Sequence, residues 1–233
     1  MTAPLTAPRS ASSSEFWLRV QRERALVALF DLGRQKSYGL RAAKLYAFGV
    51  FAGYAIAISL TRGGDRSATI HGFVHAALVS LSWVVGALSA LGSAQALAQQ
   101  PERDALSALA LQRGFKPAAL LRARTWAATV RVARLVGVPA LLLVAVGVAR
   151  GNSLPWALAV APAVVVYAGA LGLSLALLAH FSAELSPAHP RALLTLLVLG
   201  PLLISLAYPA VPSVPALFSG LLSRLLAAGA ALS

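Results

Sequence analysis

Residues 154–181, "LPWALAVAPAVVVYAGALGLSLALLAHF", contain no Asp, Glu, Lys or Arg over a run of 28 residues. A helix of about 20 apolar residues, rising about 1.5 Å per residue, crosses a bilayer core of roughly 30 Å. The run exceeds that length, so it predicts a transmembrane helix.

Similar apolar blocks recur along the chain, which is 58% hydrophobic and only 12% charged. A soluble domain of ordinary composition has about a quarter of its residues charged. We therefore expect an all-α membrane protein with about six transmembrane helices in residues 44–233. The first five predicted spans are residues 44–61, 72–97, a segment inside 125–149, residues 154–181 and residues 193–207.

The last segment, residues 210–233, has room for one short sixth span. Arg224 would lie near the middle of a span over residues 215–233, and an ionisable side chain is costly at that depth. Three alternatives remain open: the arginine faces a protein interface, the segment is re-entrant, or a partner completes the span.

The net charge of +13 lies almost entirely between the apolar blocks. Lys and Arg are concentrated before residue 44 and in residues 98–134, whereas the alternate connections hold Arg62, Arg66 and Arg150. Loops rich in Lys and Arg stay on the cytoplasmic side of a membrane. The charge therefore predicts a cytoplasmic N-terminus and not a nucleic-acid partner. The Ala-, Leu- and Arg-rich composition favours a bacterial inner membrane.

Residues 14–43, after a predicted disordered tail at residues 1–13, form a predicted amphipathic helix. Ser12 and Glu15 have the spacing of a capping box, which places a helix start here. One face is apolar and the opposite face is basic, which is typical of a helix lying in the membrane interface. A helix packed on a soluble partner is the alternative. The predicted interfacial residues are Phe16, Trp17, Val20, Val27 and Phe30.

Between the second and third predicted spans lies the charged segment "AQQPERDALSALALQRGFKPAALLRARTW", residues 98–126. Pro101 suits the first position of a helix, and the acidic residues after it favour the positive end of the helix dipole. Gly114 suits the C-terminal cap, with Arg113 in the last turn. A second helix is predicted to begin at Pro117 and to continue into the third span.

A connection between neighbouring helices usually needs only a few residues, but this one uses about thirty. A helix with Ala105, Leu106 and Leu109 on a small apolar face fits a groove on a partner. The alternative is a helix that rests on the lipid headgroups. The predicted docking residues are Pro101, Glu102, Arg103, Asp104, Leu106, Leu109 and Arg113.

This segment resembles the one that follows the second span in the permeases of type-two ABC exporters. In that family a charged start leads into a short helix, a turn with Pro or Ser, and a return into the third span. Here residues 102–104 match the start, Lys116 and Pro117 the turn, and residues 120–122 the return. Residues 105–107, Ala-Leu-Ser, replace the family's Gly-Thr-Leu, so the match is one of pattern. An interfacial helix followed by six spans agrees with the family over nearly the whole chain.

The resemblance implies that residues 98–124 are a coupling region docking on a separate cytoplasmic ABC ATPase. It also implies a dimer with a second permease chain, identical or related, and a lipid-like or amphipathic substrate. The sequence contains no GxxxxGK[ST] phosphate loop, so the chain is not expected to be an enzyme. ATP and Mg²⁺ would bind the ATPase, and no cofactor is expected on this chain.

Two further readings stay open. The stretch "LLTLLVLGPLLISLAYP" is similar to the heme-exporter permease of cytochrome c maturation, a narrower member of the same family. A non-transporting membrane scaffold that recruits a cytoplasmic partner through the same segment is the other alternative. An intramembrane enzyme or an ion-coupled transporter would need a cluster of ionisable groups at one depth, and the predicted spans contain none.

Arginines and histidines near the membrane are the remaining candidates for transport chemistry. Arg131 and Arg134, one turn apart at the start of the third span, would line a path for an anionic substrate or reach lipid phosphates. His71 and His75 are also one turn apart, but no third ligand accompanies them. No metal site is predicted, and His71 is expected in a connecting loop.

Overall fold

The computed structural model of the chain describes residues 18, 21–26, 38–62, 66–98, 100–208, 220–221 and 223–224. The side chains at 38, 39, 90, 93, 95–98, 100–104, 106, 199, 201–203 and 205–207 lie outside that description. Within the described ranges the chain is helical apart from turns and short connections, and no strand occurs there. The predicted all-α class is confirmed at this level.

Within residues 38–62, 66–98 and 100–208, which the structure describes, seven α-helices and one π-helical turn follow the short helical segment at residues 21–26. They are α1 (Tyr38–Leu60), α2 (Arg66–Ser80), the π-helical turn (Leu81–Val85), α3 (Gly86–Ala98), α4 (Gln100–Gln112), α5 (Pro117–Ala149), α6 (Leu154–Leu185) and α7 (Pro190–Ala207). The π-helical turn lies between α2 and α3 without a break, so residues 66–98 form one helical rod.

Four helical stretches among the described residues are long and apolar enough to cross a membrane: Leu40–Leu60, Arg66–Ser89, Pro117–Ala149 and Leu154–Leu185. No more than 44% of each apolar window is buried inside the protein. Large apolar side chains such as Leu45, Phe48 and Leu158 point outward and are more than 60% exposed. Lipid accommodates such a surface and water does not, so the helices indicate a multi-pass membrane protein.

The helix bounds agree with the predicted spans at several points. Helix α5 runs without a break from Pro117 to Ala149, and α6 begins at Leu154. Helix α7 ends at Ala207, as predicted for the fifth span. That α7 crosses the membrane stays a prediction. The sixth span also stays a prediction, because the structure describes only Gly220, Leu221, Ser223 and Arg224 of that segment.

Three helices begin earlier in the sequence than the predicted spans: α1, α2 and α7, the last of which starts at Pro190 instead of residue 193. Helix α1 begins at Tyr38, so the predicted boundary between the interfacial helix and the first span falls inside a helix. Helix α2 begins at Arg66, and His71, expected in a loop, lies inside it. The reason is tertiary contact, since Ile70 is fully buried and His71 accepts a hydrogen bond from Trp156.

The predicted interfacial residues Phe16, Trp17, Val20, Val27 and Phe30 and the tail at residues 1–13 lie outside the described residues. That part of the sequence prediction stays a prediction. Leu18 and residues 21–26 are described, and Glu23 and Leu26 make the contacts with α5 that are reported below.

The centre of the bundle is the contact between α5 and α6. A Cβ placed on Gly172 would lie 2.6 Å from the backbone oxygen of Thr129, and one on Gly137 would lie 3.3 Å from the Cβ of Ala168. Small residues allow two helices to approach closely in lipid, where van der Waals contact replaces the hydrophobic effect. The small residues Gly137, Ala168 and Gly172 therefore lie where α5 and α6 approach most closely.

Hydroxyl groups tie the π-helical turn to its neighbours. The backbone N–H of Gly86 donates to the oxygen of Leu81, five residues earlier, which is the hydrogen bond of a π-helix. Ser82 Oγ donates to the Leu78 oxygen at 2.6 Å and accepts from the buried Tyr167 hydroxyl at 2.9 Å. The turn is therefore anchored to α6, which α3 also contacts.

Candidate functional site

The candidate site is the corner formed by α4, its C-terminal turn and the first turns of α5. Gly114 adopts a left-handed conformation with φ of +79°. The Gly114 N–H donates to the Leu111 oxygen at 2.9 Å, and the Phe115 N–H donates to the Ala110 oxygen at 3.1 Å. These two bonds form a Schellman motif. The predicted C-terminal cap at Gly114 is confirmed, although α4 ends at Gln112 and Arg113 lies just beyond its last turn.

Helix α5 starts directly after this motif. Lys116 is extended, with φ of −73° and ψ of 146°, and Pro117 occupies the first helical position. Proline is favoured there because its fixed φ suits a helix and its missing N–H would have no partner in the helix. Only residues 113–116 separate α4 from α5, so the connection is tight and its geometry is fixed by backbone bonds.

One face of α4 is held against α5 by an apolar cluster. Ala110 packs in a buried group with Leu120, Ala123 and Ala127 of α5, and Phe115 covers that group at its edge. Contact between the residue after the Schellman glycine and the third-last helical residue commonly accompanies this motif. Phe115 and Ala110 occupy those two positions, so motif and cluster stabilise the same corner.

A charged hydrogen bond joins the two helices one turn further on. Arg124 of α5 is buried, and its Nη2 donates to Oγ of Ser107 in α4. Ser107 lies one turn before Ala110, so it belongs to the face of α4 that contacts α5. Hydrogen bonds that involve a charged group are stronger than neutral ones, and this one orients α4 along α5.

The segment at residues 21–26 packs on the same corner. Leu26 is buried in the cluster with Ala110 and Leu120, and Glu23 lies 3.6 Å from the Arg122 guanidinium. A cavity of about 640 Å³ remains between this segment and the turn. Its lining includes the basic side chains of Arg22 and Lys116 in addition to Glu23 and Arg122.

The other side of α4 is open. Leu109 is 50% exposed, and Ala105 and Arg113 are exposed as well. Leu111 is also exposed, but it lies about 200° around the helix from Leu109 and so belongs to a different side of α4. The backbone of Pro101, Glu102, Arg103, Asp104 and Leu106 lies in α4, but their side chains lie outside the described part of the structure.

The arginines predicted for a substrate path are separate from this corner. Arg131 is half-buried and Arg134 is exposed. Arg131 follows Arg124 by seven residues, or about 10 Å along the helix. A span of about 30 Å that ended at Ala149 would begin near Arg131. The two arginines would then lie close to the start of that span.

The first residue of the histidine pair, His71, packs against Trp156. The Trp156 Nε1–H donates to His71 Nδ1 at 3.2 Å, and the two rings meet edge to face. Within the described ranges, no group of three or more His, Asp or Glu side chains has an arrangement that would hold a metal ion.

Comparison of the chain with models of protein families, with curated proteins and with solved structures found no match. The function proposed below therefore rests on the residues of this sequence and on the geometry of the α4–α5 corner.

Proposed function

We propose that this chain is the transmembrane subunit of an ABC exporter of the second type. In this proposal α4 is the coupling helix, and it docks on a separate cytoplasmic ATPase that binds ATP and Mg²⁺. The chain pairs with a second permease chain, and together they form the path of a lipid-like or amphipathic substrate. The observation that carries the proposal is the fixed corner at residues 113–116, which joins an exposed helix to a continuous helix of 33 residues.

The mechanical argument follows from the contacts at this corner. A force applied to α4 passes into α5 through the Schellman motif, the apolar cluster and the Arg124–Ser107 hydrogen bond. Helix α5 in turn has its most extensive contact with α6, where the backbones approach closely at Gly172. Because well-packed interfaces transmit displacement, closing of the ATPase would tilt α5 and α6 together.

The distribution of basic residues supports the proposed orientation. The α4–α5 corner carries Arg113, Lys116, Arg122 and Arg124, and excess Lys and Arg mark the cytoplasmic side. We place this corner and the N-terminus in the cytoplasm of a bacterium, with the spans in its inner membrane. Arg131 and Arg134 then lie near the inner leaflet, where they would receive an anionic group of a substrate or lipid.

The first experiment is a gentle purification of the tagged chain from its native host, with companion proteins identified by mass spectrometry. We expect a stoichiometric soluble protein that contains a phosphate-loop ATPase. A membrane protein recovered without an ATPase, or with a partner that does not hydrolyse ATP, would favour the scaffold alternative.

The second experiment tests the docking face itself. Leu109→Asp should release the ATPase while leaving the protein folded, because half of the side chain is exposed and the change adds a charge to the proposed interface. Leu111→Asp is the matched control, because Leu111 has similar exposure but lies about 200° around the helix from Leu109. Full retention of the ATPase by both variants would contradict docking on α4.

A further inference from the structure

The end of the bundle away from the α4–α5 corner gathers several polar side chains. Helix α1 ends there, α2 begins there, and α5 ends and α6 begins there. The Arg150 guanidinium, after α5, donates from Nη2 to the backbone oxygen of Ser59 in α1. Beneath this layer Ile70 of α2 meets Gly147 of α5, where a Cβ would lie 3.0 Å from Ile70 Cγ2. Arg66 lies one turn before Ile70, so it belongs to the same layer as Arg150.

Three hydrogen-bond donors in this layer are buried. They are Nε of Arg66, Nε of Arg150 and Nδ2 of Asn152, and none of them has a hydrogen-bond partner among the described residues. Asn152 is 93% buried, since only 7% of its surface is exposed. Its backbone N–H donates to the Gly147 oxygen, which fixes its place next to Arg150.

The layer beneath cannot serve these donors. Ile70 and Trp156 are buried, and neither side chain has a hydrogen-bond acceptor to offer, since isoleucine is apolar and the indole N–H only donates. His71 Nδ1, an acceptor in that layer, already receives the Trp156 Nε1–H. Burying a charged donor without an acceptor is costly, so an acceptor from elsewhere is expected.

We propose that Arg66, Arg150 and Asn152 form a binding site for an oxyanion, either the phosphate of a lipid headgroup or a free phosphate. Guanidinium N–H groups match the geometry of oxyanion oxygens, and an Asn amide supplies a further neutral donor. The layer lies at the end of predicted transmembrane helices, which is the level of lipid headgroups. The proposal does not depend on the exporter function.

The test uses the purified full-length chain in a non-ionic detergent that contains no phosphate, and it measures the thermal unfolding of the chain. One arm adds inorganic phosphate at constant ionic strength, with chloride as the comparison. The other arm adds phosphatidylglycerol, with diacylglycerol, which lacks the phosphate, as the comparison. At least one anion should raise the Tm of the wild type by about 2–4 °C. A shift with phosphate identifies a free oxyanion, and a shift with phosphatidylglycerol alone identifies a lipid headgroup.

The variants assign the shift to the site. Arg66→Gln and Asn152→Ala should lose the anion-induced rise in Tm. They are preferred to changes at Arg150, because Arg150 also ties α5 to α1. Arg62→Gln, an exposed arginine at the same end, should keep the rise. An equal rise in Arg66→Gln and the wild type would overturn the proposal, and so would the absence of any rise in the wild type.

A carboxylate of the chain itself, Asp65, could accept hydrogen bonds from these donors in place of a bound oxyanion. Asp65 precedes Arg66 in the sequence and lies outside the described residues. If the oxyanion site exists, Asp65→Asn should keep or strengthen the response to the anion. If Asp65→Asn instead lowers the Tm as much as Arg66→Gln and neither anion acts on the wild type, the acceptor is internal and the proposal is wrong.

Discussion

Arg124 Nη2 donates a hydrogen bond to Oγ of Ser107, and this contact joins the exposed helix α4 to the long helix α5. The arginine is buried although it carries a charge. An arginine this deep in protein is expected to hold a specific partner. The contact therefore marks where the orientation of α4 relative to α5 is set.

Arg124→Met should loosen α4 and leave the bundle intact. It removes a hydrogen bond from a charged donor, and such bonds contribute about 1.5–3 kcal/mol. We expect amide hydrogen exchange in residues 100–112 to rise by at least about tenfold, with little change in α6. Arg122→Met is the control, since Arg122 is exposed and its ion pair with Glu23 is a surface pair of little energetic value. Equal exchange in α4 of both variants would argue against this role for Arg124.

Gly114→Ala should destabilise the α4–α5 corner by about 1 kcal/mol. Gly114 has φ of +79°, and open space surrounds the position of the missing Cβ, so the cost arises from the backbone alone. Gly53→Ala is the matched control, because Gly53 also has open space but lies inside α1. Alanine is favoured in a helix, so that variant should be neutral or more stable. Thermal unfolding of both variants measures the difference, and a lower Tm for Gly53→Ala than for Gly114→Ala would contradict it.

Gly172→Ala should destabilise the bundle by about 1–3 kcal/mol. The new methyl group would lie 2.6 Å from the backbone oxygen of Thr129, and a backbone atom moves only with its helix. Gly169→Ala, in the same helix, places its methyl group in open space. The Tm should fall only for Gly172→Ala, and similar values for the two variants would mean that α5 and α6 are not in close contact.

Substitutions at Tyr167 separate the contribution of its hydroxyl from that of its ring. Tyr167→Phe removes the hydrogen bond to Ser82, which keeps its bond to Leu78. Hydrogen bonds between helices in a membrane contribute about 0.6 kcal/mol, so a small loss is expected. Tyr167→Ala leaves a cavity at a site that is almost fully buried and should cost about 3–5 kcal/mol. Equilibrium unfolding measures the free energy of unfolding of both variants. If Tyr167→Phe lost nearly as much as Tyr167→Ala, the hydroxyl and not the ring would make the main contribution to stability.

The α4–α5 corner was the part of the site that the sequence predicted best. Pro117 and Gly114 are local signals, because proline fixes φ at a helix start and glycine adopts φ above zero at little cost. In the structure Pro117 is the first residue of α5 and Gly114 has a positive φ, as these signals predict. The contacts of Arg124 were not predicted, because its partner Ser107 lies 17 residues away and is brought near only when the corner has formed.

The start of α2 shows the opposite case. A glycine at position 72 and the polar residues before it place the start of the span later in the sequence than Arg66. The structure extends the helix because Ile70 finds a buried place against Gly147, and His71 finds a hydrogen-bond donor in Trp156. Both contacts are made with residues more than 70 positions away in the sequence, so no local sequence pattern predicts them.

By itself the sequence determined that the chain is built of long apolar helices, and where most of them end. Helix length and hydropathy are properties of neighbouring residues, and a bilayer sets the length that an apolar helix needs. Only the tertiary structure decided which side of α4 faces α5, where α5 and α6 come closest, and that the Arg150 guanidinium reaches the backbone of Ser59 in α1. Those relationships depend on how separate helices pack, because in lipid the fit between surfaces, not apolar character, selects the neighbours.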